Sequence, residues 1–97
     1  MKALKIPPTD DSPEINFDPK NERFTLSGKS TMINAEEFYQ PVFKWIDENL
    51  AKLDQPIEVV VKLEYLNTSS SKVILDLLTI IENKEHCKVI LETPRDE

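Results

Sequence analysis

The sequence predicts a small α/β fold: an open mixed sheet that begins with an N-terminal β-hairpin and continues as αβαβ, with its helices packed on the sheet. Three observations predict it. "EINFD" and "RFTLSG" each alternate apolar and polar residues, and the turn-forming "DPKNE" overlaps and joins them. The stretch from Phe38 to Leu53 repeats apolar residues at helical spacing. An apolar strand pattern, a second helical pattern and a short apolar run then follow with short joints, which makes a βαβ unit with parallel strands and a right-handed crossover.

Each element has its own signal. Met1 to Pro13 hold Pro7, Pro8 and Pro13, which disfavour helix, so this segment is expected to be extended or loosely held. Ile15 and Phe17, then Phe24 and Leu26, give the hairpin its apolar face. Pro19 suits the second position of its turn, and Asn21 tolerates unusual backbone angles. Gly28, the only glycine, is expected to end the second strand at a backbone angle other residues resist. Asn34 is a candidate cap for the first helix, with Glu36 and Glu37 in the first turn where the dipole favours anions. Pro41 predicts a kink or a helix that starts there. After "DQP", the residues Ile57, Val59, Val61, Leu63 and Tyr65 alternate on one face. Val60 and Leu66 add apolar character to the other, as in a strand covered on both sides. Val73, Ile74, Leu77, Leu78 and Ile81 mark the second helix, and "CKVILE" the last strand.

The 97 residues suit one domain, 1–97, with a single core and no large internal cavity. The formal net charge of −6 argues against nucleic acid and against an anionic membrane surface, and suits a protein partner better. The single cysteine, Cys87, allows no internal disulfide. No apolar run is long enough for a signal peptide or a membrane span, so a cytoplasmic location is expected.

The feature that exceeds structural need is the hydroxyl run Thr68, Ser69, Ser70, Ser71 between the last long strand and the second helix. One reading is capping: a helix start leaves about four unpaired amides, and one of Asn67 to Ser70 takes up that work. The other is a phosphoacceptor. Free amides and the helix dipole stabilise a phosphate there, Lys72 lies one turn along from Thr68, and the C-terminal end of a parallel strand is the usual binding edge of an open α/β sheet. Spacing alone does not choose among the four hydroxyls.

Other candidates are weaker. His86 and Cys87 are adjacent, but there is no second His or Cys to complete a metal site. Cys87 reads as a small apolar residue opening a strand. One glycine builds neither a P-loop nor a dinucleotide-binding turn. Acidic residues are abundant, yet nothing in the sequence pairs two of them for acid–base work. No cofactor is expected. Tyr39 and Phe43 fall partly off the main apolar stripe of the first helix, so they are candidates for an exposed docking surface.

"SPEINFDP", "LSGKS", "NAEEFYQPVFKWIDENL" and "LEYLNTSSSKVILDLL" together resemble the SiaC-type regulatory phosphoproteins of bacteria, over about Ile6 to Leu91. These are similar in fold and in switch logic to STAS-domain anti-sigma-factor antagonists. The resemblance implies a STAS-like fold and a protein that is not an enzyme. It implies that a serine/threonine kinase phosphorylates the threonine of "NTSS", Thr68, and that a PP2C-like phosphatase reverses this. The residues Asn67, Ser69, Ser70 and Lys72 then form the switch region. It further implies that the unphosphorylated form binds and activates a diguanylate cyclase, promoting cyclic-di-GMP synthesis and biofilm formation. Members usually continue past "CKVILE" with an acidic segment, another strand and a helix. This chain ends at Glu97, so the expectation is a domain lacking those elements, with an open sheet edge that invites a homodimer. Two other readings stand beside this one: an anti-sigma-factor antagonist whose partner is an anti-sigma kinase, and a small carboxylate enzyme with two acidic side chains in one pocket.

Overall fold

The computed structural model describes residues 2–92. The "TPRDE" end, on which the expectation of missing final elements falls, lies outside them. The elements are β1 (Leu4–Ile6), β2 (Glu14–Asp18), β3 (Arg23–Ser30), α1 (Ala35–Asn49) with a 3-10 turn at Leu50–Lys52, β4 (Ile57–Leu66), α2 (Thr68–Glu82) and β5 (Cys87–Leu91). Among the described residues they form one five-stranded sheet in the order β1-β2-β3-β4-β5. The first two pairings are antiparallel and the last two parallel. This is the mixed α/β class the sequence predicts.

The order explains the layers. The connections β3–α1–β4 and β4–α2–β5 both step the same way across the sheet. Two crossovers of one hand that step in one direction put both helices on one face. Ile15, Phe17, Phe24, Leu26, Val59 and Val61 point to that face and pack with Val42, Trp45, Ile46, Ile74, Leu77 and Ile81. Among the described residues no helix covers the other face, and Glu58, Lys62 and Glu64 are exposed there on β4. The apolar Val60 does not mark a doubly covered strand among these residues; it is half-buried on that side.

Local details depart from the sequence pattern for identifiable reasons. "LKI" is an edge strand and not a loose tail. Leu4 and Ile6 stand opposite Phe17 and Ile15 and extend the core face, Lys5 pairs with Asp18 at 3.3 Å, and the Trp45 indole donates to the Lys2 carbonyl at 2.8 Å. Three residues are too few for an alternation to be read with weight. In the hairpin turn the Glu22 amide bonds the Pro19 carbonyl, so Pro19 stands first in that turn, and Glu22 carries the positive φ of 54°. Asn21 instead donates from its side chain to Asp18 at 2.7 Å. Gly28 does adopt φ 118°, but β3 runs on to Ser30. The helix α1 neither starts at Pro41 nor stops there: Asn34 caps it, accepting from the Glu37 amide, and Pro41 sits exposed within it.

One irregularity matters for the site. Between β3 and β4, Gly28 pairs with Leu63 but Lys29 pairs with Tyr65, so Glu64 is an extra residue. A bulge of one residue reverses the facing of everything after it. Tyr65 therefore leaves the core face and is 63% exposed, with the Lys29 ammonium 5.8 Å from its ring centroid. Leu66 turns to the helix side.

Candidate functional site

The hydroxyl run sits at the carboxyl end of β4, where α2 begins beside the end of β3. Asn67 caps α2. Its Oδ1 accepts from the Ser70 amide at 2.8 Å, and its carbonyl accepts from the Ser71 amide at 3.0 Å. The same residue ties α2 to β3: its amide donates to the Ser30 carbonyl at 3.1 Å, and its Nδ2 donates to the Met32 carbonyl at 2.9 Å. Asn67 thus fixes the helix start and the β3–α1 joint with one side chain and one peptide unit.

The four hydroxyls then separate by environment. Ser70 is fully buried. Its Oγ lies 2.8 Å from Ser30 Oγ, which lies 2.8 Å from the Tyr39 hydroxyl. Ser70 Oγ also lies 3.4 Å from Met32 Sδ. With one proton on each hydroxyl, the consistent chain is Tyr39 to Ser30, Ser30 to Ser70, and Ser70 to the thioether. Burial pushes the Tyr39 phenol up to about 12, against a smaller opposite pull from Ser30, so it stays a donor at neutral pH. Thr68, Ser69 and Ser71 are exposed. Thr68 and Ser69 hold the first two amides of α2, which have no intrahelical carbonyl. Lys72 is exposed four residues after Thr68, on the same helix face.

Tyr39 is not the surface aromatic that its offset from the main stripe predicts. It shares a stripe with Ala35, Val42 and Ile46, all buried, and its hydroxyl is satisfied by Ser30. This corrects its reading as a partner-binding residue. Phe43 is half-buried and borders a shallow surface with Gln40, Lys44, Asp47 and Ile80. Ile80 lies twelve residues along α2 from Thr68, roughly 18 Å at helical rise, so Phe43 is not part of the Thr68 surface.

Several residues of α2 and of the strands beside it escape a reading of spacing alone. Ser30 shares the core-facing parity of Leu26 and Gly28, and a polar side chain at a core position needs a partner; that parity is the signal that could have found it. Ile33, next to the clamped Met32, is 97% exposed. Leu66, Leu75 and Leu91, each 42% exposed or more, border a groove of about 330 Å³ that runs between α2 and the β4–β5 edge and begins at Ser71.

Elsewhere the chemistry is structural. His86 Nε2 lies 3.1 Å from the Leu50 carbonyl and fastens the turn before β5. Burial pushes the Cys87 thiol up, against a smaller opposing effect of Lys84, which disfavours a thiolate. The Asp18 carboxyl is held below its usual range chiefly by the Asn21 side chain, and its cationic neighbour is Lys5. Among the described residues no group of three His, Cys, Asp or Glu is placed to hold a metal ion, and no helix is long and apolar enough to cross a membrane.

Comparison with known proteins converges on one group. The family model described as SiaC family regulatory phosphoprotein matches residues 6–92. A curated, uncharacterised protein of Pseudomonas aeruginosa (strain UCBPP-PA14) is 37% identical over 82 residues, covering 84% of this chain. The chain spans 65% of that relative's length. A solved structure of SiaC of Pseudomonas aeruginosa superposes with a TM-score of 0.83 at 33% identity, over 96% of this chain and 78% of that one. A crystal structure of apo-SiaC from the same organism gives 0.84 at 33% identity, over 99% of this chain and 81% of that one.

Proposed function

The chain belongs to the SiaC family of regulatory phosphoproteins, and we propose that it is a phospho-switch domain without catalytic activity, with Thr68 as the acceptor and a diguanylate cyclase as the partner. The observation that carries this reading is the division within the hydroxyl run. Thr68 is exposed on a rigidly capped helix start, while Ser70, two residues on, is sealed in the core. A kinase reaches the first and not the second.

The switch follows from electrostatics. The unphosphorylated α2 start offers neutral hydroxyls beside exposed apolar Ile33 and Leu66, a surface a protein partner can cover at low desolvation cost. Phosphorylation adds about −1.5 to −2 charges at one point. Burying such a charge without full pairing costs several kcal/mol, which is orders of magnitude in affinity. Lys72 is the nearest cation along the helix face and holds the phosphate on the free protein. A dedicated serine/threonine kinase writes the mark in the cytoplasm and a PP2C-like phosphatase removes it. Cyclic-di-GMP output and biofilm formation then follow the dephosphorylated fraction.

Pull-down with wild-type, Thr68→Ala and Thr68→Glu chains tests this. Wild type and Thr68→Ala are expected to retain a diguanylate cyclase, and Thr68→Glu to retain much less. Recovery of a sigma-controlling kinase in place of the cyclase would instead identify an anti-sigma-factor antagonist.

A further inference from the structure

Thr68 is the first residue of α2, and the chain on either side of it is held in place. The Asn67 amide donates to the Ser30 carbonyl at 3.1 Å, Asn67 Oδ1 accepts from the Ser70 amide at 2.8 Å, and Ser70 is sealed in the core. An enzyme that needed Thr68 in an extended segment would break these bonds and expose Ser70. A modifying enzyme therefore reads the folded surface beside Thr68. We propose that residues 31–34, the joint between β3 and α1, dock the kinase: Ile33 enters an apolar pocket of that enzyme, and Asp10, Asp11, Glu36 and Glu37 meet Lys or Arg on the pocket's rim. This rests on Thr68 being the acceptor. The reaction it serves moves the γ-phosphoryl group of ATP to Thr68 Oγ1, with ADP leaving and the hydroxyl proton released.

The joint is tied to the acceptor. Asn67 Nδ2 donates to the Met32 carbonyl at 2.9 Å, so the peptide that leads into Ile33 is bonded to the residue that precedes Thr68. Before it, the Thr31 amide donates to the Asp11 carbonyl at 2.9 Å, and Asp11 belongs to a turn in which the Ser12 amide donates to Thr9 Oγ1 at 3.0 Å. After it, Asn34 caps α1 and its Nδ2 donates to Glu37 Oε1 at 3.1 Å. A lone surface isoleucine carries little by itself. This one is 97% exposed on a joint held at both ends, so little ordering remains to oppose its insertion into a partner. The joint follows β3, and β4 separates β3 from β5, the last of the described strands.

Charge selects the occupant. Asp10, Asp11, Glu36 and Glu37 are all exposed, and neither residues 7–14 nor residues 31–40 contain a Lys or Arg. The nearest cations in sequence stand apart: the Lys29 ammonium lies 5.8 Å from the Tyr65 ring centroid, and Lys72 lies a turn beyond Thr68. A second copy of the chain would bring the same carboxylates, and nucleic acid or an anionic membrane would bring phosphates, so each is repelled. A protein surface with basic groups around an apolar pocket is attracted.

Steady-state phosphorylation of full chains by the purified cognate serine/threonine kinase tests the proposal. Ile33→Ala is expected to raise KM about tenfold with kcat unchanged. Asp10→Lys/Glu36→Lys is expected to lower kcat/KM about tenfold at low salt, with the gap from wild type closing as salt rises. Thr68→Ala is expected to compete with wild type for the kinase, and Thr68→Ala/Ile33→Ala to need about ten times the concentration. Circular dichroism verifies that each variant is folded. An Ile33→Ala chain with the KM of wild type, a charge variant whose deficit ignores salt, or equal competition by the two Thr68→Ala chains overturns the docking element and leaves Thr68 as the acceptor. A wild-type chain that gains no phosphate on Thr68 overturns both.

Discussion

Ser30 Oγ and Ser70 Oγ stand 2.8 Å apart across the joint between β3 and α2, and both residues are fully buried. The contact couples two elements separated by forty positions in sequence, and it decides which hydroxyl of the run is structural. Tyr39 from α1 and Met32 from the β3–α1 joint complete the cluster. The base of the exposed Thr68 is thus a satisfied polar core.

Ser70→Ala is expected to destabilise the protein by about 1–2 kcal/mol, because the Ser30 hydroxyl loses its best acceptor while a weaker one, Met32 Sδ at 3.6 Å, remains. The double variant Ser30→Ala/Ser70→Ala should cost less than the sum of the singles, since removing both partners strands less. Urea unfolding of the four proteins measures this. Strict additivity would contradict the coupling.

Asn67 is expected to separate capping from clamping. Asn67→Ala loses both and should cost about 1 kcal/mol or more in stability. Asn67→Asp keeps an oxygen for the Ser70 amide but has no donor for the Met32 carbonyl. Amide hydrogen exchange should then show protection kept at Ser70 and lost around Met32 and Ile33. Equal loss at both places in Asn67→Asp would contradict the dual role.

Much of this arrangement is legible in the sequence. The hairpin, both helices, the Asn34 cap and the βαβ unit follow from periods of 2 and 3.6 and from the placement of Asn34, whereas the cap of the second helix is narrowed by sequence only to Asn67–Ser70. What is not legible depends on one residue's offset or on a tertiary partner. The extra Glu64 in β4 reverses Tyr65 and Leu66, and nothing in a locally apolar strand announces a bulge. Tyr39 is amphipathic, so its offset from the stripe suggests exposure until Ser30 supplies the partner that lets it be buried. The strand "LKI" gains its place from pairing with β2, which its own three residues cannot express. At the site, helical position alone leaves four hydroxyls equivalent; their separation comes from which way each faces the sheet.

Gly28→Ala is expected to destabilise by more than about 1 kcal/mol. Its φ of 118° is a conformation alanine resists, and the new methyl would sit 3.4 Å from Pro13 Cα. Thermal unfolding checks this; an unchanged or raised midpoint would contradict it.

Asp18 gives a pH dependence. Its folded carboxyl lies below the ordinary value of 3.8, with the Asn21 side chain the largest cause. A depressed carboxyl contributes stability that is present above the unfolded value and is lost as pH falls through the folded one. Asn21→Ala should therefore lower the urea midpoint near neutral pH, and the gap from wild type should narrow in acid. A gap that stays constant down to about pH 2 would contradict the assignment.

The most direct test is intact-mass analysis with peptide mapping after the full chain is incubated with its cognate serine/threonine kinase and ATP. The account predicts one added phosphate, located on Thr68, absent from Thr68→Ala and never on Ser70. Phosphate that persists in Thr68→Ala, or that maps to Ser70, would contradict it.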